Sequence, residues 1–266
     1  MSESIISLRG IQKSYGKHQV LHNITLDIQK GDIFGLIGRN GAGKTTLFKV
    51  ILGLSDFEGG TLEIAGESND LSIGRKKIGF LIGSNFLPYM NARQNLEYYR
   101  TLKGIKDKKE IDRVLEIVGL KGVKTPYSKY SLGMKQRLGI ANALMGMPEI
   151  LILDEPTNGL DPQGIADVRE LIIRLKEEYG LTIIVSSHIL SELQNTANRF
   201  GIIHGGTLAD DITQEDLIAE QKTVKIQVDD LDRAREALAQ AGIQILSETQ
   251  ETRSLEDFYF GLVGGK

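Results

Sequence analysis

Three short stretches carry side chains whose types and spacing can do phosphate chemistry. Gly38-Arg39-Asn40-Gly41-Ala42-Gly43-Lys44-Thr45 matches G-x-x-x-x-G-K-[ST] at every position, and a second hydroxyl, Thr46, follows. Glycines so placed let successive backbone N–H groups turn inward around phosphate oxygens, and a helix starting there adds the positive end of its dipole. In such a loop the Lys44 ammonium reaches the outer phosphates and the Thr45 hydroxyl serves Mg2+. The second stretch, Ile150 to Glu155, ends an apolar run with two acids. Asp154 suits Mg2+ held through water, and Glu155 suits a base that polarises the attacking water. The third is His188, directly after "TIIVSS". A neutral imidazole there could hydrogen-bond a terminal phosphate and fix both water and Glu155. The other histidines, His18, His22 and His204, have no comparable setting. Each feature alone has a duller reading: a glycine turn, acids capping the next turn, a structural histidine. A complete loop followed by an acid pair and a strand-end histidine is far more specific.

These groups work together only if strands bring them to one edge, and the hydrophobic pattern supplies such strands. "IFGLIG" enters the glycine-rich loop, and Leu47, Val50, Ile51 and Leu54 carry helical spacing behind it. "EILILDE" and "LTIIVSS" are continuous apolar runs bounded by turns, as expected of parallel strands buried on both faces. Between them "GIADVRELIIRLKEEYG" reads as an amphipathic helix ending at Gly180. Upstream, "IISLRGI" and "ITLDI" are β-rich, and "TLEIAG" predicts a strand ending at Gly66. Helical periodicity then takes over in "ARQNLEYYRTLKG" and "KKEIDRVLEIVGL", and a further helix is expected to open at Ser131. From about Lys222 the pattern changes again. "TVKIQV" alternates, "DLDRAREALAQAG" is helical with Gly242 at its end, "IQILSE" is strand-like, and Ser254 and Asp257 suggest a capping box. The expectation is an α/β phosphate-loop NTPase with a parallel-sheet core, an N-terminal antiparallel β subdomain and a helical insert over about 86–145. Residues 1–220 would form that domain, and 221–266 a small αβ appendage.

Composition sets the remaining bounds. The chain has 266 residues, 41% hydrophobic and 25% charged, enough apolar material for a sizeable core. A formal charge of −3 gives no global basic signal, so nucleic acid is not expected as a partner. The local clusters "GRKKIG" and "KDKK" read as solvated faces. With no cysteine there is neither a disulfide nor a thiolate metal site. The start "MSESIISLRG" lacks the basic-then-apolar pattern of a signal peptide. The longest apolar runs fall far short of the roughly 20 residues a membrane span needs. Any work at a membrane is therefore expected to go through a partner.

The constellation resembles the ATPase subunits of ABC transporters over residues 5 to about 218. Its distinguishing mark is Ser131-Leu132-Gly133-Met134-Lys135-Gln136, which looks like a variant of the family signature L-S-G-G-Q and lies shortly before the acid pair. The resemblance implies that Ser131, Gly133, Lys135 and Gln136 address ATP held by the opposite protomer, so that a homodimer clamps two nucleotides head-to-tail. It also implies that Tyr15, in "KSYGKHQVL", stacks on adenine, and that Asp161, in "GLDPQG", lies in the loop crossing the dimer interface. The absence of an N-K-x-D guanine signature favours ATP as well. The implied cofactors are ATP and Mg2+, with a transmembrane permease as partner and the cytoplasmic face of the membrane as location.

Within the family, "IGFLIG", "YMNARQNLEYYRTLKG" and "YSLGMKQRLGIANALMGMPEILILDEPTNGLDP" look like the bacitracin- and lantibiotic-type exporters. One departure stands out. The family usually places a Gln after the strand "IGFLI", where this chain has Gly83, Ser84 and Asn85. With the other elements intact, the resemblance implies a subfamily trait, with Mg2+ left to Thr45, phosphate oxygens and water. The next residues, Phe86, Leu87, Pro88, Tyr89 and Met90, read equally as core or as a groove for a permease helix. Two rival readings are an ATP sensor that hardly hydrolyses and a soluble ABC ATPase uncoupled from transport.

Overall fold

The structure is a computed structural model and describes residues 3–83, 85–214, 216 and 228–245. Six strands form the central sheet: β3 (Ile33–Ile37), β5 (Ile78–Leu81), β6 (Ile150–Asp154), β7 (Thr182–Ser187), β8 (Arg199–His204) and β9 (Thr207–Thr213). Their order is β5-β6-β7-β3-β8-β9, parallel except for β9, which returns antiparallel to β8. β6 is buried up to its last residue and β7 throughout, as the unbroken apolar runs predict. Alternate side chains serve opposite faces. Leu151, Leu153, Ile183 and Val185 join the core beneath the helices, while Ile150, Ile152 and Ile184 join a second core.

That second core is closed by helix α1 (Lys44–Leu52) and a three-stranded antiparallel sheet. The sheet has β1 (Ser4–Tyr15) between β2 (His18–Gln29) and β4 (Gly59–Ile64). Tyr15 pairs with His18 across a two-residue turn, which puts Tyr15 at the tip of the hairpin. A short helix α2 (Leu71–Arg75), not foreseen in the sequence, leads into β5. Its Arg75 belongs to one of the basic clusters read as solvated. Instead its guanidinium bonds the Ile51 and Val50 carbonyls at 3.0 and 3.3 Å, satisfying the open end of α1.

The helical insert holds α3 (Ala92–Leu102), α4 (Lys109–Ile117) and α5 (Leu132–Leu144). Asn91 and Gln94 close a capping box on α3, and Ser131 caps α5 as expected. The cluster after Gly83 divides. Phe86 is buried, with ring centroids 5.4 Å from Tyr99 and 5.3 Å from Tyr127, whereas Tyr89 is 71% exposed. Fully buried Asn95 holds the intervening turn through Leu87, Met90 and Asn91. Helix α6 (Pro162–Tyr179) starts at the Asp161 cap and stops at Gly180, and α7 (Leu190–Gln194) follows β7.

The chain divides into two compact units, Met1–Leu217 and Ile218–Lys266. In the second, α8 (Leu231–Gln240) matches the predicted helix and is capped by Asp230. Residues 243–245, expected to begin a strand, form none. "TVKIQV" apart from Val228, the rest of "IQILSE", and the pair Ser254 and Asp257 lie outside the described residues. Among the described residues no helix is long and apolar enough to cross a membrane.

Candidate nucleotide site

Parallel pairing brings the three chemical stretches to one edge. Ile37 pairs with Ser187 and Asp154 with Ser186, so the loops after β3, β6 and β7 all leave the sheet at its carboxyl end. Ligands of open α/β sheets bind at that edge. The loop after β3 enters α1 through Gly43 at φ +111°, a backbone that other residues rarely adopt. Behind it Lys44 is only 5% exposed, and its ammonium lies 2.6 Å from the Gly38 carbonyl. The same ammonium sits 3.1 Å from Glu155 Oε1.

The two acids are divided between two tasks. Asp154 Oδ2 accepts from the Thr45 hydroxyl at 2.7 Å, while its Oδ1 accepts from Ser186 at 2.6 Å. Glu155 reaches the other way, with Oε2 2.6 Å from His188 Nδ1. A carboxylate partner places the imidazole hydrogen on Nδ1, leaving Nε2 an acceptor in the neutral ring. So arranged, neutral His188 can accept a hydrogen bond from water through Nε2; donating one to a phosphate while paired requires the protonated ring. Glu155 has φ +49°, a left-handed backbone costing on the order of 1–3 kcal/mol for a non-glycine residue. Its N–H donates to Ser186 Oγ at 2.9 Å, so one fully buried hydroxyl orients both acids. Sequence reading missed Ser186. Its signal is a hydroxyl closing an otherwise apolar strand.

Thr45 and Asp154 are hard oxygen donors, the type Mg2+ takes. Among the described residues no group of three or more His, Cys, Asp or Glu could hold a metal alone. The set therefore fits Mg2+ in the manner that relies on substrate phosphates and water for the remaining ligands.

Tyr15 is half exposed, with Lys13 Nζ 5.2 Å from its ring centroid and its hydroxyl 3.4 Å from Ser55. That hydrogen bond, partly opposed by burial and assisted by Thr46, holds the phenol below its ordinary range. Ser131, Gly133 and Asp161 line an open cleft of about 420 Å³ where α5 and α6 begin. Ser131 Oγ accepts from Met134 N at 3.2 Å, which leaves its own hydrogen to donate outward. Lys135 turns elsewhere, its ammonium 5.5 Å from the Tyr127 ring centroid. Gln136 is half-buried and, among the described residues, does not line the cleft. Gly83 adopts φ +65° with open space beside it, and Asn85 gives its carbonyl to Tyr99 OH at 2.6 Å. Ser84 lies outside the described residues.

Residues 21–158, spanning the loop, the signature-like segment and both acids, match the family model described as ABC transporter. The chain belongs to the ABC transporter family. It is an ATP-binding subunit and an ABC-type ATPase. The bacitracin transport ATP-binding protein BcrA of Bacillus licheniformis is 38% identical over 98% of both chains. The lantibiotic transport ATP-binding protein SrtF of Streptococcus pyogenes is 42% identical over 77% of this chain and 89% of its own. Among solved structures, cbiO1 of Clostridium perfringens shares the fold at 23% identity and TM-score 0.75, covering 90% of this chain and 98% of that one. A dimeric ATP-binding cassette in a post-hydrolysis state, bound to ADP and Pi, has 26% identity and TM-score 0.69. Its match covers 79% of this ABC ATPase and 98% of that chain.

Proposed function

We propose that this ABC ATPase hydrolyses Mg-ATP to drive a separate membrane permease that exports a peptide antibiotic or a related drug. One observation carries the hydrolytic reading. Glu155 is held between the Lys44 ammonium at 3.1 Å and the His188 imidazole at 2.6 Å, at the edge where the phosphate loop opens. ATP would compete with Glu155 and the Gly38 carbonyl for Lys44, freeing the carboxylate to act on water. Glu155 is then the general base, and His188 fixes that base and the attacking water. Thr45 and Asp154 would hold Mg2+ with the phosphates and water; once bound, the ion neutralises charge on the β- and γ-phosphates.

Tyr15 would meet the adenine, and residues 38–46 the phosphates. Ser131 and Gly133 would reach the ATP of a second copy, with Asp161 at the crossing between copies. Tighter ATP binding by the closed dimer than by the open one is what would move the permease. The likeness to BcrA and SrtF, named for bacitracin and lantibiotic transport, supports the peptide-antibiotic class. A location at the cytoplasmic face of the membrane would follow from binding the permease.

The test is Mg-ATP hydrolysis by the purified chain across protein concentration, with Glu155→Gln as control. A rate rising faster than linearly, and cut by ~10²–10⁴-fold in the control with ATP binding retained, is expected. Tight ATP binding without hydrolysis, both alone and with the permease, would favour a sensor. Loss of antibiotic resistance in cells carrying Glu155→Gln would test the export reading.

A further inference from the structure

The base and the imidazole that steadies it come from separate loops, 33 residues apart in the chain and 2.6 Å apart in space. One carboxylate oxygen ties those loops together without touching either group. Glu192 Oε2 accepts from Thr157 Oγ1 at 2.6 Å and from Ser187 Oγ at 3.2 Å. Thr157 is two residues beyond Glu155, and Ser187 directly precedes His188. Ser187 Oγ in turn accepts from Ile189 N at 3.0 Å, so the backbone is gripped on both sides of the imidazole. Glu192 is itself anchored, its carbonyl accepting from Thr196 Oγ1 at 2.8 Å.

Behind the carboxylate lies a small cavity of about 10 Å³ whose mainly apolar wall also takes in Thr157, Arg169, Ser187, Glu192 and Thr196. Arg169 Nε is buried with no hydrogen-bond partner, so a guanidinium shares the cavity with the carboxylate. A charged, doubly accepting side chain at the junction of two catalytic loops, beside an unsatisfied donor, is an expensive arrangement for packing alone.

We propose that Glu192 is a positioning residue: it holds the loops of Glu155 and His188 in hydrolytic register, an inference that rests on the hydrolytic reading above. Removing it lets the base and imidazole drift while the phosphate loop keeps its ATP. A misplacement near 1 Å typically costs on the order of 10²-fold in rate.

The experiment measures kcat, the KM for ATP and the melting temperature for Glu192→Ala, Glu192→Gln, Thr157→Val and Thr157→Ser in the full chain. A companion measurement is the imidazole ¹⁵N spectrum of His188, assigned among the four histidines with His188→Gln. Glu192→Ala and Thr157→Val are each expected to lower kcat by ~10–100-fold with KM within about twofold. The double variant should fall no further than either single one, because both break the same link. Glu192→Gln and Thr157→Ser restore most of the rate, since each keeps the hydrogen bond. In Glu192→Ala the Nδ1 signal should move toward that of Glu155→Gln, a readout independent of turnover.

Unchanged kcat together with an unchanged His188 spectrum would overturn the proposal. So would additive losses, or a fall in kcat that tracks lost folding and is not rescued by Gln. Should Glu192→Ala fail to fold, the contrast between Thr157→Val and Thr157→Ser decides whether the link matters. Full hydrolysis by Glu155→Gln would sink the hydrolytic reading instead, while the His188 spectrum would still report on Glu192.

Discussion

The phosphate-loop half and the signature half of this subunit differ in how far each is completed by its own chain. Around the loop, Lys44, Thr45, Asp154, Glu155, Ser186 and His188 form one connected set, every link between 2.6 and 3.1 Å. At the signature, Ser131, Gly133 and Asp161 line an open cleft of about 420 Å³, and their internal bonds only cap α5 and α6. The first half is poised to take phosphate in exchange for contacts it already makes. The second offers donors outward. Such an asymmetry suits a site divided between two copies, and it separates substitutions that abolish binding from those that abolish closure.

The largest effect should come from the closed half. Lys44→Ala removes a charged hydrogen-bond donor, the kind worth about 1.5–3 kcal/mol, so ATP affinity should weaken by roughly 10–100-fold in a nucleotide titration. An unchanged affinity would mean that the loop amides carry binding without the ammonium. Gly133→Ala sharpens the contrast from the open half. A Cβ there meets only Leu160, at an ordinary 3.9 Å, so the subunit should fold as before. ATP binding by the monomer should hold, while ATP-driven dimerisation, followed by light scattering, should fall about tenfold because a methyl intrudes where a phosphate must approach. Normal dimerisation would remove Gly133 from the shared site.

The two halves also differed in how plainly they read in sequence. The loop pattern was legible because its chemistry needs adjacent residues, and β6 and β7 because strands buried on both faces cannot alternate. The start of α5 was legible in Ser131, since an N-cap is a local signal. Contacts that depend on register were not. Ser186 joins Asp154 only because those residues face each other across β6 and β7, and Glu192 reaches Thr157 only through the fold. The same holds for the division between buried Phe86 and exposed Tyr89, neighbours with one composition and two fates. Lys135 and Gln136, grouped with Ser131 by adjacency, do not line its cleft, and the Lys135 ammonium lies over the Tyr127 ring instead, a choice of side-chain direction that spacing along the helix does not reveal.

Gly83 lies where the family usually places a Gln, and its φ of +65° makes that side chain unwelcome on backbone grounds alone. Gly83→Gln should therefore cost about 1–2 kcal/mol, a fall of a few degrees in melting temperature for a domain of this size. Gly83→Asn should cost less, because Asn tolerates the left-handed region. Basal hydrolysis should survive both, since the contacts joining Lys44, Thr45, Asp154, Glu155 and His188 do not pass through residue 83. Stimulation by the permease in reconstituted membranes is the quantity expected to change. Equal melting temperatures for glycine and Gln would show that the loop relaxes to another backbone.

The smallest effect concerns the insert that carries the signature. Although burial alone would raise the Glu110 carboxyl, Arg113 at 2.6 Å and the Gly146 N–H at 2.8 Å hold it below the usual range. A folded-state value below the unfolded one stabilises at neutral pH and is lost as pH falls through the folded value. Stability of the insert should thus decline as acid is added below about pH 4.5, the ordinary value of a glutamate. Glu110→Gln should flatten that part of the curve and lower stability at pH 7, because Arg113 loses its ionic partner. The phosphate-loop half should show no matching change, so ATP affinity at pH 7 should stay within about twofold of the parent. A steep acid transition that persists in Glu110→Gln would assign the pH response to another carboxylate and leave this ion pair without a measurable role.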